Sequence, residues 1–383
     1  MNNYYRDSIF EVNLDTIKDN IVEIKDKCSK DDFLYVVVKA DAYGHGIIQV
    51  SKTALEAGGD GLGVVTLDEA LTIRKHLKDA KVLCMGVIPD RYYEFACEND
   101  ITVSIANLHG AAIAAKADYS KPLLVQLKIN TGLNRIGLGN LEDVKEAISI
   151  LQQNDKIVIE GIFAHFATSE DDDKNEYTQM QADNLKYIVD NVDHKFKQIH
   201  CTNSAALLRW PNTFDFTNTN RTGVGIYGIS LRPEQSNFKV KSAVTVKSLI
   251  TQVHVHPAGT KIGYSNTYIT TEENEIVATI AIGYADGFAR SHKGSKVKCG
   301  DQYGTIVSNI CMDQLMIKFE KPVSIGDEVI LISTEDPEVD VYQRAKQAES
   351  VPQEILPRFG LRLVKVYTKN GEVVEVDNTL LNK

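Results

Sequence analysis

Between residues 33 and 225, short β-branched apolar runs alternate with segments of helical period, and this alternation limits the possible folds more than any other feature of the chain. The predicted strands cover 33–38, 62–65, 81–85, 101–105, 123–129, 157–163, 196–201 and 220–223. Helical patterns occupy 47–57, 67–77, 141–152 and 176–189, the second opening on Thr66 with Glu69 three residues later, the arrangement of a capping box. Helices inserted between successive strands enforce parallel pairing, and eight such strands predict a closed (β/α)8 TIM-like barrel, with an open doubly wound sheet as the alternative.

Beyond residue 235 the texture changes. Strand-like pieces at 240–255, 275–282, 296–298, 302–307, 315–319 and 328–331 are separated by Pro-Ala-Gly and Gly-Asp turns, the one good helical pattern is 339–347, and 361–376 reads as extended. A chain of 383 residues is long for one core. Two domains are therefore expected: a barrel over 1–235, its first ~10 residues able to pair with the β domain, and a mainly β C-terminal domain over 236–383.

A net charge of −10 argues against a general nucleic-acid binder, which needs concentrated lysine and arginine. The start, MNNYYRDSIFEVNLD, lacks the basic and apolar regions of a secretion signal, and no later window is apolar enough to span a bilayer, so a cytoplasmic protein without membrane contact is expected. Cys28, Cys84, Cys97, Cys201, Cys299 and Cys311 contain no C-x-x-C pair and no companion histidine cluster, which predicts reduced thiols and no metal.

The predicted strand at 33–38 delivers Lys39 from an apolar run straight into a polar turn, where a barrel assembles its chemistry. A poorly solvated amine has a lowered pKa and can form a Schiff base or move protons. Taken alone, Lys39 reads better as an ordinary strand-end lysine in water. The same register gathers Tyr43, Lys128, Asn130, Arg135, His165, His200, Asn203, Ser204, Arg221 and Gly223 at strand C-termini. Ser204, Gly223 and Val224 fall where barrels commonly build a phosphate cradle from backbone N–H groups. A reactive lysine, a phosphate cradle and an arginine suit pyridoxal 5'-phosphate; a Schiff-base aldolase would not require the arginine.

The segments VVVKADAYGHG, KINTGLNRIGLG, GIFAHFATSE, HCTNSA, RTGVGIYG, IGYSNTY, IGYADG and CMDQ occur in the order seen in the alanine racemases, and the chain resembles that family over nearly its whole length. The resemblance implies a pyridoxal-phosphate enzyme of fold type III that interconverts L- and D-alanine for peptidoglycan. It implies that Lys39 carries the cofactor and works on one face of the α-carbon, with Tyr264 on the other. In the family's head-to-tail homodimer Tyr264 and Met312 serve the partner subunit's site, Met312 through its backbone N–H on the substrate carboxylate, supported by Asp313. Arg221 then meets the pyridine nitrogen, backed by His200; Tyr43, Ser204, Gly223 and Val224 hold the phosphate; His165 lies near the ring; and Arg135 binds the substrate carboxylate. Lys128 matches a lysine that is often carbamylated in relatives and orients Arg135.

Two positions depart from the family pattern. Gln353 stands where many relatives carry a tyrosine, and Asn309 where an arginine is usual; with Tyr284 these belong to the substrate gateway. A smaller polar side chain at 353 makes serine, or a broader set of small amino acids, an alternative substrate. A decarboxylase of the same class would need an acidic residue in place of Arg221, and a non-catalytic pyridoxal-phosphate carrier would lack the β domain.

Overall fold

Strands with almost no polar face need cover on both sides, and those of the N-terminal half receive it. The computed structural model of the chain describes residues 4–229 and 240–381. It divides into one unit of Ile17–Ala42 and Ile47–Val240 and another of Met1–Thr16, Tyr43–Gly46 and Lys241–Lys383. The domain boundary expected at 235/236 lies outside the described residues.

Strand β1 (Ile9–Asn13) belongs to the second unit. The first unit is built on β2 (Phe33–Val37), β3 (Gly61–Val64), β4 (Val82–Cys84), β5 (Ile101–Ile105), β6 (Leu123–Lys128), β7 (Ile157–Phe163), β8 (Gln198–His200) and β9 (Thr219–Thr222). Neighbours from β2 to β8 pair in parallel, and β2 also pairs in parallel with β9. First and last strands therefore meet, which overturns the open doubly wound alternative. The seam between β8 and β9 is held by Asn218: its N–H reaches Ile199 O at 3.2 Å, its Oδ1 accepts Ile199 N–H at 2.9 Å, and its Nδ2 donates to Lys197 O at 2.9 Å.

The helix Leu67–His76 begins with the capping box expected at Thr66 and Glu69. Asn107, Asn140 and Asn203 cap the helices that follow them, each accepting a backbone N–H three residues on. The helix Leu14–Lys25 had no counterpart among the predicted elements. Its apolar face is recognisable afterwards: Ile17, Ile21 and Ile24 recur at helical spacing and are all buried.

In the second unit β10 (Val244–His256) is unusually long. It continues into β11 (Lys261–Ile262), β12 (Tyr268–Ile269), β13 (Glu275–Ile280), β14 (Lys296–Cys299), β15 (Gln302–Val307), β16 (Leu315–Phe319), β17 (Glu328–Ile332), β18 (Val364–Lys369) and β19 (Glu372–Asp377). β10 pairs with β17 through Val246–Leu249 and with β13 through Ile250–His256, and this double use closes six strands into a ring. β1 extends the sheet, antiparallel to β10 and parallel to β18. The pattern at 339–347 forms the helix Val341–Gln347, capped by Asp340.

Candidate active site

Lys39 leaves β2 directly into a left-handed turn. Ala40, Asp41, Ala42 and Tyr43 have φ of 52°, 53°, 53° and 53°, a region that costs an L-residue about 1–2 kcal/mol each. The polar turn expected after Lys39 gives no sign of this, because no glycine occurs among Ala40–Tyr43. Side chains hold the strain in place: Glu69 Oε1 accepts Ala40 N–H at 2.7 Å and Asp41 Oδ1 accepts Ile47 N–H at 2.8 Å. Burial, then Arg135, lowers the Lys39 pKa, with Glu69 acting against them.

Arg221 sits 3% exposed at the centre of a cationic cluster. Its NH1 donates to His200 Nδ1, and its NH2 to Ala164 O at 2.8 Å, Cys201 O at 3.3 Å and His165 Nδ1 at 3.3 Å. Nε donates to no acceptor among the described residues. Burial, Arg221 and Lys128 hold the His200 pKa well below its ordinary value, and burial followed by Arg221 does the same to His165, so both rings are neutral. Lys128, bonded to Ile129 O at 2.7 Å, is pushed down to about 7 by burial, Arg221 and Arg135. Such a concentration of cationic groups is a receptor for anions.

Ser204 opens the helix Ser204–Arg209, and its Oγ accepts the N–H of Gly223 at 2.8 Å and of Gly225 at 3.3 Å. Val224 is the first residue of a 3-10 turn, so its N–H lies outside that turn's own bonding. Burial pushes Tyr43, in the other unit, up to about 12.

Asn130 and Arg135 follow β6 in the barrel unit, and the remaining predicted residues lie in the β unit. Tyr264 is 70% exposed, and its carbonyl accepts Asn309 Nδ2 at 3.4 Å. The preceding Gly263 has φ of 70°, and a Cβ there would lie 2.1 Å from Ser308 Oγ. Met312 is exposed on a segment pinned by Tyr284 N–H to Cys311 O and Ala285 N–H to Met312 O, both 3.0 Å. Gly283 permits that approach, since a Cβ would fall 2.3 Å from Met312 O. Asp313 is held by Arg362 at 2.7 Å, and Arg362 and Arg6 both reach the buried Asp286. Gln353 Oε1 is buried without a hydrogen-bond partner among the described residues.

The description "Alanine racemase, N-terminal domain" matches residues 12–231, and "Alanine racemase, C-terminal domain" matches 243–367. The chain belongs to the alanine racemase family. It is 36% identical to the alanine racemase of Halalkalibacterium halodurans, covering 100% of both chains. The structure of the alanine racemase from Bacillus anthracis with bound L-Ala-P superposes with a TM-score of 0.94 at 31% identity, covering 99% of this chain and 100% of that one. A histidine racemase from Leuconostoc mesenteroides subsp. sake superposes at 0.88 with 26% identity, covering 96% of this chain and 100% of that one.

This family depends on pyridoxal phosphate, and the barrel's donor set fits that group. A half-buried amine of lowered proton affinity suits its aldehyde, the Val224 N–H beside Ser204 suits its phosphate, and the uncommitted Nε of Arg221 can donate to a ring nitrogen. Among the described residues no group of three His, Cys, Asp or Glu could hold a metal. Sequence reasoning passed over Glu69 and Gln126. Glu69 was noticed only as a cap, and nothing local marks a glutamine in a core strand as a partner of His200, to which Gln126 lies bonded at 2.7 Å.

Proposed function

We propose that the chain racemises alanine, with pyridoxal phosphate bound in the barrel and two side chains exchanging the α-proton on opposite faces. The observation that carries this reading is Lys39, an amine of lowered pKa in the same barrel as a buried, obligately donating Arg221, with His165 feeling the charge of both. When bound, the cofactor supplies an aldehyde for the amine and an acceptor for the charge left on the α-carbon.

Lys39 would hold the cofactor and then accept or return the proton on its own face. Its lowered proton affinity increases the share of neutral amine able to take the proton. Arg221 would face the ring nitrogen as a donor that does not give up its proton, which limits charge withdrawal into the ring and favours prompt return of the proton to carbon. Val224 N–H, with Ser204, Gly223 and Tyr43, would hold the phosphate, beside a neutral His165. Arg135 would bind the substrate carboxylate, and carbamylation of Lys128 would turn a repelled cation into an anion that orients it.

We infer that Tyr264 supplies the opposite face to the partner subunit of a head-to-tail homodimer, together with the Met312 N–H. Both residues are exposed in the single chain, and Met312 N–H donates to no acceptor among the described residues, which supports that reading. Supply of D-alanine to peptidoglycan in the cytoplasm is the corresponding role. No helix among the described residues is long and apolar enough to cross a membrane.

Incubation with L-alanine in D2O tests the function. Loss of optical rotation in step with deuterium uptake at the α-carbon is expected; CO2 release or no exchange would overturn it. Gln353 favours a second reading, serine, because its buried and unpartnered Oε1 can accept a hydroxyl.

A further inference from the structure

The barrel contains a buried polar chain that the proposed mechanism does not use. His200 Nε2 lies 2.7 Å from Gln126 Oε1, Gln126 Nε2 lies 2.5 Å from Gln198 Oε1, and the Tyr35 hydroxyl donates to that same oxygen at 2.9 Å. Tyr35 is on β2, Gln126 on β6 and both Gln198 and His200 on β8, and no two of these strands share a ladder. The side chains therefore meet across the barrel interior. None is more than 3% exposed.

One fact sets the direction of every bond. A guanidinium only donates, so His200 Nδ1, which faces Arg221 NH1, must present a lone pair. The neutral ring then carries its proton on Nε2 and needs an acceptor there, which orients Gln126 with Oε1 toward the imidazole. The Gln126 amide N–H is left pointing at Gln198 Oε1. The ring cannot swing away, because Phe163 stacks on it at 5.0 Å and 9°. A second proton on His200 would set N–H against N–H at Arg221.

We propose that Gln126 is a positioning residue for Arg221: oriented by Gln198 and Tyr35, its side-chain carbonyl holds His200 as the Nε2–H tautomer and keeps Nδ1 an acceptor for the guanidinium. With NH1 tied to His200 and NH2 to Ala164 O, the direction of the uncommitted Nε is fixed. The consequence for cofactor binding rests on the function proposed above. The tautomer does not.

The test is nitrogen NMR of the full chain labelled with [15N]histidine, the His200 signals being assigned by their loss in His200→Asn. The parent is expected to show a bare Nδ1 and a protonated Nε2 that does not titrate across about pH 5 to 8. Gln126→Glu places a carboxylate against Nε2–H, so His200 should titrate within that range, and pyridoxal-phosphate affinity should fall about tenfold. Gln126→Leu should lower the affinity similarly while His200 stays neutral. Should the glutamate variant fail to fold, Gln198→Leu decides: freeing the Gln126 amide to turn should broaden or shift the His200 signals. A protonated Nδ1 in the parent, or unchanged signals and affinity in the variants, would overturn the proposal. A correct tautomer without alanine racemisation would instead sink the functional reading and leave this one standing.

Discussion

Glu69 Oε1 accepts the backbone N–H of Ala40 at 2.7 Å while Glu69 Oε2 accepts those of Val65 and Thr66 at 2.9 and 3.1 Å, so one carboxylate caps a helix and grips the strained turn that follows Lys39. Replacing it with alanine orphans three donors and frees the turn. Glu69→Ala should lose about 1–2 kcal/mol of stability, from the cap, and about tenfold in kcat, from misplacement of the amine. Glu69→Gln keeps an acceptor and removes the charge. Because that charge raises the Lys39 proton affinity, the acid limb of the kcat/KM profile should move to lower pH in the glutamine variant. An unmoved limb in a folded variant would show that the carboxylate does not act on Lys39.

Lys128 gives the structure a pH-dependent stability whose sign follows from its surroundings. Its folded pKa of about 7 lies below the unfolded value near ~10.4, so between the two the unfolded chain holds the extra proton. Stability should rise with pH across that window, by up to about tenfold in the unfolding constant per pH unit, and the full penalty stands below it. Carbamylation removes the cation. Denaturation of CO2-free protein should show the rise, and bicarbonate or Lys128→Met should flatten it. A parent whose intact mass under CO2 shows only the free amine would eliminate the carbamate.

Much of this was legible in the sequence. Strands at 101–105, 157–163, 302–307 and 315–319 fall where alternation and turn residues put them, because local pattern and burial agree there. Lys39, Lys128, His165 and Arg221 lie at or near strand ends in one barrel, and Arg135, in the loop after β6, lowers the proton affinity of Lys39, Lys128 and His165. What escaped was non-local. The left-handed course of Ala40–Tyr43 is imposed by carboxylates and not by glycine, and local propensity cannot register a clamp that comes from residue 69. Gln126 interrupts the apolar run Leu123–Leu127, and its partners on β8 lie 72 residues away or further.

Gln353 bears on the choice of substrate. Its Oε1 is buried without a partner among the described residues, a state a substrate hydroxyl would relieve and a methyl would not. Gln353→Tyr should therefore lower kcat/KM for L-serine relative to L-alanine by about tenfold or more, a single lost hydrogen bond's worth. Parallel assays of both amino acids on parent and variant give the ratio, and an unchanged ratio rejects Gln353 as its determinant.

Where Tyr264 works can be decided by mixing subunits. Lys39→Ala and Tyr264→Phe should each abolish racemisation, the first also removing the visible absorption of the lysine-bound cofactor. If every site combines Lys39 of one chain with Tyr264 of its partner, a heterodimer of the two variants has one site carrying both lesions and one carrying neither. Random reassociation makes about half the dimers mixed, so activity should return to about a quarter of the parent's. If both groups instead come from one chain, every site keeps a lesion and mixing restores nothing. Unfolding and refolding the two variants together, with either one alone as the control, distinguishes these outcomes, and a mixture as inactive as its parts would remove Tyr264 from the partner's site.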